Sequence, residues 1–87
     1  MPTHKENLII AVQAALDGDW HGAHNIAQDY SDVTANWLHA VLHKMEGDAG
    51  NSRYWYAKTH GRKYEDYSDA RVELFAIQQS LSDGLAQ

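Results

Sequence analysis

His39 and His43 stand four residues apart in Trp37-Leu38-His39-Ala40-Val41-Leu42-His43, and His21 and His24 stand three apart in an earlier stretch. On a helix, residues three or four apart share one face, so each pair is a candidate for joint ligation. Neutral imidazole is a borderline nitrogen donor suited to zinc and its neighbours. The candidate ligands are His24, His39 and His43, with His21 as a further donor. The cofactor such a set would take is zinc or another divalent transition metal. Asp32 or Glu46, near the His39/His43 stripe, could add a carboxylate ligand or hold an imidazole in one tautomer. A competing reading assigns these residues no chemistry. Asp32, Asn36, His39, His43 and Glu46 then form the polar stripe of a solvated helix face, and His24 and His39 are buried, hydrogen-bonded core histidines. The run His39-Ala40-Val41-Leu42-His43 has no glutamate beside its first histidine, so the metalloprotease signature is absent.

A second constellation is Arg53-Tyr54-Trp55-Tyr56-Ala57-Lys58-Thr59-His60-Gly61-Arg62-Lys63-Tyr64. It holds four of the seven basic residues and no acid, whereas the whole chain carries −5. Cations interleaved with rings suit an anionic or acidic-peptide partner. Arg53, Tyr54, Lys58, Arg62, Lys63 and Tyr64 are the candidates for that role. The net negative charge argues against broad nucleic-acid binding. The bland alternative is structural: cations favour helix C-termini, Trp55 and Tyr56 sit at packing positions, and Glu65, Asp66 and Asp69 lie close downstream. Catalysis has little to work with. There is no cysteine, no nucleophile elbow and no phosphate-cradling glycine loop. A His43–Glu46 pair could exchange protons, but such pairs are common on ordinary helices.

These residues must be held by helices, because apolar residues recur at helical spacing throughout. Thr3-His4-Lys5-Glu6 is a capping box opening a first helix that buries Leu8, Val12, Ala15 and Leu16. Gly18 stops it, and Asp19 caps a second helix with Trp20, Ala23, Ala27 and Tyr30 on one stripe. Ser31-Asp32 caps a third, whose apolar face is Val33, Trp37, Ala40, Val41 and Met45, with Leu38. Gly47 stops this one, and a fourth helix runs from about Ala49 to His60, ended by Gly61. A fifth, capped by Asp66 or Ser68, aligns Ala70, Leu74, Ile77 and Leu81, with Phe75 widening the stripe. Gly84 ends it, and the tail frays. Links this short force neighbouring helices to lie antiparallel.

Gly18-Asp19 and Gly47-Asp48 lie 29 residues apart, each followed four residues after the Asp by a small residue, Ala23 or Ser52. In Trp37-Leu38-His39-Ala40, Glu46-Gly47-Asp48, Ser52, Tyr56 and Thr59, the sequence resembles tetratricopeptide-type helical-hairpin repeats, with Leu16-Asp17-Gly18-Asp19-Trp20 and Ala23 as a weaker copy. The resemblance implies two degenerate antiparallel hairpins over about residues 7–60, with the fifth helix as a cap. Asp19-Trp20, Ala23-His24, Leu42-His43 and Tyr54-Trp55-Tyr56 are also similar to a group of small uncharacterised bacterial proteins. That likeness implies a helical fold and no activity.

Eighty-seven residues make a single all-α domain spanning 1–87. Lack of cysteine excludes a disulfide framework and fits a reducing compartment. No signal peptide is evident, and the longest apolar run, Leu8 to Val12, is far too short to span a bilayer. The chain reads as cytoplasmic, without a membrane partner. The expected function is a protein-interaction module whose excess aromatic surface is covered by a protein partner or by self-association as a homodimer. The alternative is a small histidine-rich metal-binding protein.

Overall fold

The computed structural model describes the backbone of residues 3–85 and the side chains of residues 3–83. Five helices follow one another: α1 (His4–Leu16), α2 (Trp20–Ala27), α3 (Val33–Met45), α4 (Ala49–Tyr56) and α5 (Ala70–Leu85). A single 3₁₀ turn, Tyr64–Asp66, lies before the last. The described residues contain no strand. None of their helices is long and apolar enough to cross a membrane.

Local chemistry starts each helix. The Thr3 hydroxyl accepts from the Glu6 N–H at 3.1 Å while the Glu6 carboxylate accepts from the Thr3 N–H at 3.0 Å, the reciprocal capping box. Asp19, Asp32 and Asp48 cap α2, α3 and α4 by accepting from the backbone N–H three residues on. The two glycine–acid corners are near copies: Gly18 has φ 91° and Gly47 φ 83°, left-handed values that a side chain would oppose.

The chain then folds back on itself twice. α1 pairs with α2, and α3 pairs with α4, as two hairpins. α2 meets α3 in antiparallel fashion, with Trp20 beside Leu42 and His24 beside His39. α5 lies across α1 and α3, where Arg71 donates to the Leu16 carbonyl at 3.0 Å and Gln78 donates to the Gln13 side chain. The core takes Leu8, Val12, Leu38, Val41, Leu42, Leu74 and Ile77 out of water, each roughly 1.5–3 kcal/mol of transfer free energy. Ala23 and Ser52 are fully buried at the equivalent places of the two hairpins.

Several expectations need correction. α3 is not half solvated. Asn36, His39 and His43 are buried together with Trp37 to Leu42, because α2, α4 and α5 enclose the helix from different sides. Its ends behave oppositely: Val33 and Met45, expected in the core, are exposed. α4 stops at Tyr56, before His60. The following turns tighten to i+3 hydrogen bonds, and His60 rather than Gly61 first turns left-handed, at φ 61°. α5 is capped by neither Asp66 nor Ser68. The Asp69 carboxylate accepts from the N–H groups of Arg71 and Val72, while Asp66 accepts from the Lys63 N–H at 2.9 Å. Phe75 is exposed instead of widening the stripe, and α5 continues through Gly84 to Leu85. The tail expected to fray, Ala86 and Gln87, lies outside the described residues, as does Pro2.

Candidate metal centre

α2 and α3 run in opposite directions at the seam between the hairpins, so His24 on one faces the one-turn-spaced His39 and His43 on the other. One ligand atom from each of the three imidazoles lies within 4.8 Å of the others. A tetrahedral zinc with bonds of about 2.0–2.1 Å sets its ligand atoms about 3.3 Å apart. The trio is therefore more open than a bound tetrahedral ion requires, by up to about 1.5 Å between ligand atoms. His39 and His43 are buried and His24 is partly exposed, which gives the cluster one open side.

Two tryptophans hold the rings in place. Trp55 of α4 stacks on His39 with centroids 3.9 Å apart and planes 13° from parallel. Trp20 stacks on His24 at 4.8 Å and 10°, its indole N–H anchored on the Leu42 carbonyl at 2.6 Å. Between them, His39 and His43 stack at 5.0 Å, and His24 meets both edge-on. The ring neighbours of His24 and His39 are thus other rings, in place of the hydrogen-bond partners expected of core histidines. His43 Nδ1 is enclosed with no partner. Glu46 Oε2 lies 3.4 Å from it.

Burial favours the neutral form of His39 and His24. Burial, with the neighbouring His24 and His43 rings, pushes the His39 imidazole down to about 4. Burial, then the charge of His43, lowers His24 as well. A ring that stays unprotonated at neutral pH presents a lone pair, which a cation uses and a proton would block. His21 is exposed and contacts Trp20 edge-on, outside the trio. Asp32 is also apart: its carboxylate accepts from His4 Nε2 at 2.6 Å and caps α3. Glu46 and Asp48 form a second close group with His43, both exposed.

The aromatic–basic segment is brought together in part. Arg53 pairs with Glu65 and stacks on Tyr64. Arg62 lies on the Trp37 ring at 3.4 Å. Tyr54 is exposed, with the Lys58 ammonium 5.0 Å from its ring centroid, and Lys63 stands in the exposed turn before Tyr64. Of the six residues, Arg53, Arg62, Lys63 and Tyr64 line one surface hollow, and Tyr54 and Lys58 are not among its lining. Four surface hollows, of about 580, 330, 220 and 760 Å³, are lined by residues other than His24, His39, His43 and Glu46.

On the far side of α3 lies a polar cluster that sequence reasoning missed. Glu73, 1% exposed, accepts from Trp37 Nε1 at 2.8 Å, from the Tyr56 hydroxyl at 2.7 Å and from Lys44 Nζ at 2.7 Å. Lys44 Nζ also donates to the carbonyls of Tyr64 and Tyr67, each at 3.0 Å. Burial, reinforced by the Glu73 carboxylate, pushes the Tyr56 hydroxyl far up. The signal was there: Glu73 falls three after Ala70 and four before Ile77, on the apolar stripe itself. The two tryptophan walls were also legible in part, since Trp20 precedes His24 by one helical turn.

Comparison of the chain with protein-family models, with curated proteins and with solved structures finds no match.

Proposed function

We propose that this protein binds a divalent transition metal ion, zinc in the first instance, through His24, His39 and His43. The observation that carries this reading is the convergence of three ring nitrogens from two helices within 4.8 Å of one another. Donor type narrows the guest. Three neutral nitrogens and no thiolate suit zinc, nickel, cobalt or copper(II) over calcium or magnesium, which prefer oxygen.

The test uses protein purified without a histidine tag. Cobalt(II) should add about one equivalent with the visible absorption of a low-coordinate site, and zinc should displace it. Saturating zinc, at about a hundred times its dissociation constant, contributes about 2.7 kcal/mol and should raise Tm by roughly 10 °C. Absence of bound metal together with an unmoved Tm on adding zinc, nickel, cobalt or copper overturns the proposal.

The interaction-module reading draws on a different observation. Tyr54, Val72 and Phe75 remain about half exposed, at 56%, 51% and 49%. Large apolar side chains so placed suit a protein partner or a second copy of the chain. Sedimentation should then show a homodimer at micromolar concentration, and a stable monomer at high micromolar concentration removes it.

A further inference from the structure

His43 Nδ1 and Glu46 Oε2 lie 3.4 Å apart, three residues from each other at the end of α3, without the geometry of a formed hydrogen bond. A neutral imidazole carries one N–H and one lone pair, and its surroundings choose which nitrogen has which. Were the lone pair on Nδ1, that enclosed nitrogen would face a carboxylate oxygen with no hydrogen-bond donor of its own. With the proton on Nδ1 the same approach is attractive, and a small rotation completes a hydrogen bond. We infer that Glu46 is a positioning residue: it holds His43 as the Nδ1–H tautomer and so frees Nε2 as the ligand lone pair. The inference rests on the metal-binding reading for its purpose, though not for the tautomer itself.

The arrangement answers a need of charge as well as of orientation. Three neutral imidazoles bring no negative charge to a dication held in a part-buried seam. A carboxylate hydrogen-bonded to the outer nitrogen of a liganding ring fixes the ring's rotation and makes its other nitrogen a better donor. Direct ligation by Glu46 is the competing role, since Glu46, Asp48 and His43 also lie close together. It is disfavoured because Asp48 is already engaged. Its two oxygens accept from the Asn51 N–H at 3.1 Å and from the Asn51 side-chain amide at 3.2 Å.

Nitrogen-15 NMR of the metal-free protein reads the tautomer directly. His43 should be protonated at Nδ1 in the wild type, and Glu46→Ala should shift it toward the Nε2–H form. Glu46→Gln keeps a carbonyl acceptor and should retain part of the Nδ1–H population. Glu46 is exposed on the surface, so circular dichroism should show both variants folded. In cobalt titrations Glu46→Ala should weaken affinity about 10- to 100-fold while leaving the positions of the visible bands unchanged. A wild-type His43 protonated at Nε2, or a tautomer indifferent to Glu46→Ala, overturns the inference. Altered cobalt bands in that variant also overturn it, by making Glu46 a ligand. Absence of any metal binding by the wild type sinks the proposed function instead, and the metal-free spectra still decide the tautomer.

Discussion

Two polar clusters flank the same helix, one on each side of α3, and they are built on opposite terms. Around Glu73, Trp37, Tyr56 and Lys44 meet one carboxylate, and every charged or polar group there has a partner. Around His39, rings stack on rings and an enclosed nitrogen has none. Burial alone therefore does not mark a site. A satisfied network fixes a structure, whereas an unsatisfied one leaves a capacity for something else.

The contrast can be broken most forcefully at Glu73. Glu73→Ala takes the counter-ion from a buried ammonium and strands the Trp37 and Tyr56 donors, and should cost about 3–5 kcal/mol in denaturant unfolding. If that variant unfolds like the wild type, the network is not the latch its geometry describes. Acid should attack the other side. Unfolded His39 titrates near 6.5 and folded His39 at about 4, so between those values the unfolded chain takes up a proton that the folded chain refuses. Stability is then full above about pH 6.5, falls as pH drops toward 4, and levels off below. The loss is about 3 kcal/mol at most, from roughly 1.4 kcal/mol per unit. A His39→Phe variant should flatten that slope in melts taken across the range, and an unaltered slope would point to other groups. Ser52→Ala removes a buried hydroxyl that donates to the Ala40 carbonyl at 2.7 Å, and should cost about 1 kcal/mol. Smallest of all in stability is His24→Ala, at a partly exposed ring. It should shift the denaturation midpoint by less than about 1 kcal/mol yet abolish cobalt binding. A variant that still binds one equivalent would remove His24 from the centre.

Much of this was legible in the residues. Cap and stop signals placed α1 to α3 because the Thr3 box, the capping aspartates and the paired glycines act within a few residues. The trio was legible too: a four-residue spacing on one helix, a histidine on the next, and an antiparallel seam suffice to join them. What escaped depends on partners far along the chain. The stripe from Asn36 to His43 reads as solvent-facing until α2 and α4 are known to cover it. Glu73 falls on the apolar stripe of α5, but its partners Trp37, Lys44 and Tyr56 lie 17 to 36 residues away. Lys44, placed among the last residues of α3, gave no hint that it would bind carbonyls 20 and 23 residues away.

The seam between α2 and α3 is where one hairpin ends its contact with the next, and it is narrower than the faces within either hairpin. A guest clasped there works as a rivet between two leaves. Proteases cut chains that open, and a pinned joint opens less often.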